Sequence, residues 1–274
     1  MTERSPPTRS WLFTPGTRPE RFAKAATVGA DVLIIDLEDA VAPADKPAAR
    51  KAALDYLTAS GGAVTALRIN GLDTPAGIAD LQALLGHGAA PQYLVLPKTE
   101  SDGHIRILDR LLSAAGKPSR IVGLIESARG LACVEQIAAA STRLCGLMVG
   151  AADLAADLGC ATAWAPLAHA RSRVVAACAL SGVAAIDSPY FDIRDIPGGK
   201  IEAEQAVNLG FVAKAAIHPA QVASINTTLT PTPQAVEQAR AILTENTKGV
   251  GVIDGQMIDE AVARRARRIL AAAG

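Results

Sequence analysis

Seven apolar runs in this 274-residue chain end in, or within a few residues of, a polar or charged side chain. The residues are Asp36, Glu38 and Asp39; Arg68 and Asn70; Lys98; Glu126; Asp153; Asp187; and Lys214 with His218. Any one of them would serve as a helix cap, a loop charge or half of a salt bridge, but delivered together to one rim they make a reaction site. Glu126 and Asp153 close consecutive runs, and on adjacent strands about 4.8 Å apart their carboxylates can share one cation. All-oxygen ligation suits Mg²⁺, which takes one or two carboxylates and completes its shell with water and substrate oxygens. The other reading of Asp153 is a cap on the following helix. Arg68, between apolar neighbours in Leu67-Arg68-Ile69-Asn70, offers a guanidinium fork to a carboxylate or carbonyl oxygen, or else pairs with Glu38 or Asp39. Arg18, Arg21 and Lys24 fall on the first turns of a helix, where free N–H groups favour anions; a phosphate-bearing ligand and a solvated helix face both fit.

These side chains need a scaffold that brings strand ends together. Short β-branched runs near Trp11–Phe13, Val32–Asp36, Val64–Ile69, Tyr93–Pro97, Ile121–Glu126, Gly146–Gly150, Ala184–Asp187 and Val212–Ile217 alternate with Ala-rich helical segments. Eight such units, one helix between each pair of strands, spell a closed parallel (β/α)8 or TIM barrel, whose chemistry sits at the carboxyl ends of the strands. Thr17-Arg18-Pro19-Glu20 reads as a capping box with proline in the first turn, and Gly29 as that helix's stop. Thr74-Pro75 starts another helix that Gly86 ends, and Gly61, Gly116, Gly182 and Gly210 read as further stops. A doubly wound sheet would carry a glycine-rich first turn, and Thr14-Pro15-Gly16-Thr17 lacks it. Gly249-Val250-Gly251 follows no convincing strand and reads as a flexible loop, so an NAD-dependent dehydrogenase is disfavoured. The barrel is expected over residues 1–228. Residues 229–274 read as a helical extension of the same domain: two helices joined by a Gly-rich turn from Thr247 to Gly255, the second starting near Asp259 and carrying Arg264, Arg265, Arg267 and Arg268.

Composition narrows the partners. Lys and Arg total 27 against 27 Asp and Glu, a formal net charge of zero, which argues against nucleic acid or an anionic membrane. The most apolar charge-free stretch, Val174–Ile186, is shorter than the roughly 18 residues a membrane span needs. Residues 1–10 do not read as a secretory signal, and the four cysteines show no CxxC spacing, so neither zinc nor a disulfide framework is indicated. A cytoplasmic protein is expected. Half the residues are hydrophobic but only 3 % aromatic, so the core must be aliphatic.

The stretch from Arg9 to Lys24 (RSWLFTPGTRPERFAK), followed by Ile35-Asp36-Leu37-Glu38-Asp39-Ala40-Val41, resembles the citrate lyase β-subunit-like family. That family includes malyl-CoA and citramalyl-CoA lyases within the HpcH/HpaI aldolase superfamily. Arg68-Ile69-Asn70, Leu96-Pro97-Lys98, Ile125-Glu126-Ser127, Gly150-Ala151-Ala152-Asp153-Leu154, Ile217-His218-Pro219 and the segment Asp254–Asp259 match in order along nearly the whole chain. The resemblance implies Mg²⁺ on Glu126 and Asp153 and Arg68 gripping the oxo-acid portion of the substrate. It also implies that Phe13, Arg18 and Lys24 line the thioester and coenzyme A side. Lys98 is a further substrate-binding candidate, with Glu38 and Asp39 as auxiliary acids. An aspartate matching Asp259 reaches a neighbouring subunit's site in CoA-dependent members, and members are commonly trimers or hexamers, so the resemblance implies a homotrimer or hexamer. Two departures stand out. Ala213 precedes Lys214 where relatives carry glycine, and Asp39 stands where the pyruvate-aldolase branch has a catalytic histidine, which sets the chain nearer the thioester lyases.

The activity expected on these grounds is reversible carbon–carbon cleavage of a 3-hydroxy-dicarboxylyl thioester into an oxo acid and an acyl thioester. Mg²⁺ would chelate the hydroxyl and carboxylate oxygens, Arg68 would stabilise the oxyanion, and Asp259 would protonate the acyl enolate. The alternatives are thioester hydrolysis on the same site, the β subunit of a citrate lyase working on an acyl-carrier protein, and a non-catalytic oxo-acid or CoA binder.

Overall fold

The structure is a computed structural model that describes residues 8–59, 63–246, 251–253 and 256–273. Its eight parallel strands are β1 (Ser10–Pro15), β2 (Val32–Asp36), β3 (Thr65–Arg68), β4 (Tyr93–Leu96), β5 (Arg120–Ile125), β6 (Leu144–Val149), β7 (Ala184–Asp187) and β8 (Ala213–Ala216). They pair in chain order and β8 returns to β1, closing the barrel. Every strand lies where an apolar run marks it in the sequence.

Strand side chains alternate between the two faces of a sheet, and here both faces are buried. Val32 and Ile34 of β2 join a cluster made of residues from all eight strands, including Trp11, Ala66, Val95, Leu124, Met148, Ile186 and Ala213; this is the barrel interior. Leu33 and Ile35 face the other way, into the layer between strands and helices. That double burial is why β2 reads as an unbroken apolar run.

Around the barrel lie α1 (Phe22–Ala25), α2 (Lys46–Ala59), α3 (Pro75–Gly86), α4 (Asp102–Ala114), α5 (Ala128–Ala132), α6 (Val134–Ala138), α7 (Ala151–Leu158), α8 (Trp164–Ser181), α9 (Ile196–Leu209) and α10 (Pro219–Leu229). Two connections, β5 to β6 and β6 to β7, carry two helices each rather than one. The Thr74 hydroxyl caps α3 by accepting from Gly77 N–H, and Gly182 and Gly210 end α8 and α9 in the left-handed region. Gly61 lies outside the described residues.

The first helix departs from expectation. A turn closed by Arg18 N–H on Pro15 carbonyl at 3.0 Å leads into a 3-10 turn, Pro19–Arg21, whose cap position is Arg18 and not Thr17; a guanidinium has no acceptor, so there is no side-chain cap bond. The α-helical part has four residues, and its last N–H groups slip to i→i−3 bonds before Gly29. One turn of aligned peptides gives little of the N-terminal field invoked for an anion beside Arg18, Arg21 and Lys24.

Beyond the barrel come α11 (Pro233–Asn246), β9 (Gly251–Ile253), β10 (Gln256–Ile258) and α12 (Glu260–Ala272). β9 and β10 form an antiparallel hairpin in which Ile253 faces Gln256, so Gly251 opens a strand instead of lying in a loop. The Asp-Gly pair at 254–255, itself outside the described residues, is the sequence signal for a two-residue hairpin connection. α11 and α12 pack on one another through Ala239, Ala263 and Ala266. Among the described residues no helix is long and apolar enough to cross a membrane.

Candidate active site

At the carboxyl end of the barrel a cavity of about 410 Å³ is lined by Asp36, Asp39, Arg68, Glu126 and Asp153, with apolar walls from Phe13, Leu124, Met148 and Phe191. Asp36, Arg68 and Glu126 stand two positions beyond Ile34, Ala66 and Leu124, so strand alternation turns them toward the barrel axis. Asp36 and Arg68 are also register partners across β2 and β3. Their side chains form a bidentate pair, Nε to Oδ1 and Nη2 to Oδ2, each at 2.6 Å. The remaining nitrogen, Nη1, lies 2.8 Å from Glu38 Oε2 and 3.6 Å from Asp39 Oδ2, and the guanidinium carbon sits 4.9 Å from the centre of the Phe13 ring. Burial alone would lower the Arg68 pKa; the Asp36 charge and hydrogen bonds outweigh it and leave the guanidinium more firmly protonated than usual. Of the two readings of Arg68 the ion pair is present: Glu38 and Asp39 are both within salt-bridge distance, and Asp36 is a further, bidentate partner.

Glu38 is held from both ends. Its N–H donates to Asp36 Oδ1 at 2.9 Å, and its carbonyl accepts from Lys46 Nζ, which also bonds Leu37 carbonyl and Asn70 Oδ1. Asn70 is fixed in turn by the buried Asp80. Glu38 Oε1 accepts from Lys98 Nζ at 2.8 Å, while Oε2, close to Arg68 Nη1, has no aligned hydrogen bond; charge alone joins that pair. Burial pushes the Glu38 pKa up, more than Arg68 and Lys98 bring it down.

Glu126 follows β5 and is 4 % exposed. Its Oε1 accepts from Lys98 N–H at 2.7 Å. Lys98 has φ of +48°, the one positive φ outside glycine among the described residues, so the residue whose N–H reaches Glu126 also turns the chain through the left-handed region just after Pro97. Against the other side of Glu126 lies Gly150, where any Cβ would collide with the carboxylate. Burial, then the charge of Glu38, pushes the Glu126 pKa up to about 8, and Asp153 adds to the rise. Asp153 is the third residue of α7, whose cap is Gly150 with no side-chain bond. The Asp153 carboxylate accepts no hydrogen bond from a described residue, so the helix-cap reading fails.

Charge balance shows what is missing from this rim. Asp36, Glu38, Asp39, Glu126 and Asp153 face Arg68 and Lys98, five carboxylates against two cations. A buried carboxylate that keeps its proton near neutrality beside a second one without a partner is a site short of positive charge. No group of three or more His, Cys, Asp or Glu among the described residues forms a metal cage. Two carboxylates with open positions nevertheless fit Mg²⁺, which fills its octahedron with water and substrate.

The other charged strand ends close on themselves. Asp187 is fully buried and accepts from Arg171 Nε at 2.8 Å and from Lys214 Nζ at 2.6 Å; Lys214 also bonds Glu202 at 2.9 Å. His218 caps α10 in a reciprocal box with Gln221. Arg18 and Lys24 are exposed, Arg18 lying 3.9 Å from Glu20, and neither lines the cavity. Asp259 caps α12, its Oδ1 accepting from Val262 N–H at 2.9 Å, and it too lies outside the cavity lining. Sequence reasoning set Asp36 on this rim without giving it a role, and did not mark Gly150 as a site residue. Register pairing of Asp36 with Arg68 was the signal for the first; nothing in spacing announces the second.

Residues 9–219 match the HpcH/HpaI aldolase/citrate lyase family. The chain is 38 % identical to the L-malyl-CoA/beta-methylmalyl-CoA lyase of Rhodobacter capsulatus, over 96 % of this chain and 93 % of that protein. Among solved structures, RipC from Yersinia pestis is 55 % identical with a TM-score of 0.74, covering 84 % of this chain and 98 % of that one. CitE from Mycobacterium tuberculosis, in complex with magnesium, acetoacetate and coenzyme A, is 37 % identical with a TM-score of 0.83 over 98 % of both chains. The chain belongs to the HpcH/HpaI aldolase/citrate lyase family.

Proposed function

We propose that this protein is a Mg²⁺-dependent carbon–carbon lyase that cleaves, or in reverse condenses, a 3-hydroxy-dicarboxylyl coenzyme A thioester such as malyl-CoA, citramalyl-CoA or a citryl thioester. The observation that carries the reading is the cation-poor pair Glu126 and Asp153 beside Arg68 in one cavity at the barrel mouth. Relatives named as malyl-CoA lyase, and a neighbour solved with magnesium and coenzyme A, support it.

In this reading Glu126 and Asp153 hold the ion, and Mg²⁺ supplies charge stabilisation for the hydroxyl and carboxylate oxygens of the substrate. Arg68, locked by Asp36, presents a preoriented positive charge to the oxygen that becomes the oxo group. The first-turn N–H groups of α7, free of any side-chain cap, add donors beside Asp153. The apolar wall of Phe13, Leu124 and Met148 keeps water from the enolate. Phe13 faces the acyl thioester, with Arg18 and Lys24 reaching the coenzyme from the surface.

The departing acyl enolate needs a proton. Asp259 is the candidate donor, supplied by a neighbouring copy in a trimer or hexamer. Its place on the 229–274 extension, away from its own chain's cavity, favours that arrangement, and exposed Met257 beside it offers an apolar contact. Mixing Glu126→Gln chains with Asp259→Asn chains is expected to regain activity that neither has alone. Incubation with Mg²⁺ and a panel of hydroxyacyl-CoA substrates is expected to release oxo acid and acyl-CoA one for one. Cleavage of none of the three thioesters refutes the proposal, and co-purification with an acyl-carrier protein moves the substrate from coenzyme A to that carrier.

A further inference from the structure

Lys98 touches both halves of the site and lines neither. Its main-chain N–H holds Glu126 Oε1 at 2.7 Å, its Nζ holds Glu38 Oε1 at 2.8 Å, and Glu38 Oε2 lies 2.8 Å from Arg68 Nη1. It does so from a left-handed backbone, a conformation that a residue with a Cβ adopts only against steric cost. A strained conformation persists only where its surroundings impose it, and such residues gather at functional sites.

We propose that Lys98 is a positioning residue with two separable parts: its left-handed main chain sets the orientation of Glu126, and its ammonium fixes Glu38 and through it the Nη1 edge of Arg68. This replaces direct substrate binding as the role of Lys98, and it rests on the lyase reading only for the second part. The first concerns the cation site alone and stands or falls without turnover.

Three substitutions separate the parts, read by Mg²⁺ titration calorimetry of the whole protein and by steady-state kinetics, with circular dichroism and melting to verify folding. Lys98→Val keeps an N–H but disfavours the left-handed backbone, and is expected to weaken Mg²⁺ binding about tenfold or more, as loss of an outer partner does. Lys98→Gly adopts that backbone freely and is expected to bind Mg²⁺ within about twofold of the parent, yet to share with Lys98→Met a rise in KM of about tenfold. Recovery of Mg²⁺ affinity in glycine but not valine is a signature that a stability effect alone would not give. If all three variants bind Mg²⁺ like the parent, the main-chain part is overturned. If Lys98→Met leaves KM unchanged while the parent turns over, the ammonium part is overturned. Should valine fail to fold, a Lys98→Gly protein with weakened Mg²⁺ binding contradicts the main-chain part equally.

Discussion

Two buried charge clusters crown the strands of this barrel, and strand alternation sets them on opposite faces. Asp36, Arg68 and Glu126 share the parity of Ile34, Ala66 and Leu124 and face the axis. Asp187 and Lys214 follow or alternate with Ile186, Ala213 and Ala215, so they face outward, where Arg171 of α8 and Glu202 of α9 meet them. The outward cluster has two cations and two anions. The inward one has five carboxylates for two cations. Convergence of charges at a rim therefore does not by itself mark a reaction site; parity and unspent valence do. A cluster whose charges balance joins the barrel to its helices, whereas one left short of positive charge is available to a ligand.

The outward cluster should yield the largest effect on folding. Asp187→Ala strips two buried cations of their shared partner and is expected to cost about 3–5 kcal/mol in chemical denaturation. A loss below about 1 kcal/mol would erase the distinction between the clusters. In the inward cluster Arg68→Lys keeps the charge but loses the bidentate fit to Asp36. It is expected to lower kcat/KM by about 10²–10³-fold, the scale of losing one oxyanion donor, with little change in melting temperature.

The two clusters also respond to pH in opposite senses. Burial would raise the Asp187 pKa, but Lys214 and Arg171 bring it below its ordinary 3.8. Its contribution to stability is thus present above about pH 4 and lost as the solution is acidified further. Glu126 is raised, so between about pH 4.5 and 8 the metal-free folded protein holds a proton that the unfolded chain releases. Stability of the metal-free protein should fall across that window as pH rises, by the same linkage. Mg²⁺ must displace that proton, so its affinity should climb toward pH 8 and then level off. Calorimetry in buffers of different ionisation enthalpy should register close to one proton released per ion near neutrality. A flat pH profile would mean that Glu126 is not the ligand.

Much of this was legible in the sequence. The eight strands are double-faced apolar runs, and no other short-period pattern in the chain competes with them. Glu126 and Asp153 could be paired because their strands are consecutive and the barrel is parallel. Other features depended on what spacing cannot carry. Thr17–Glu20 has the letters of a capping box, yet the chain had already turned at Pro15 and made a 3-10 turn of it. The hairpin after α11 was missed because three-residue strands give too little alternation to support the Asp-Gly signal between them. Asp36 was placed on the rim, but its pairing with Arg68 was not foreseen because the two are 32 positions apart in sequence and meet only through register. The left-handed turn at Lys98 is a main-chain property that a lysine gives no reason to expect.

The central claim is that the inward cluster, by virtue of its unspent carboxylates, holds the divalent cation. Mg²⁺ titration of the parent, Glu126→Gln, Asp153→Asn and Glu202→Gln proteins at pH 8 tests it most directly. One ion per chain is expected in the parent and in Glu202→Gln, and none in Glu126→Gln or Asp153→Asn. Undiminished binding in either of those last two would contradict it.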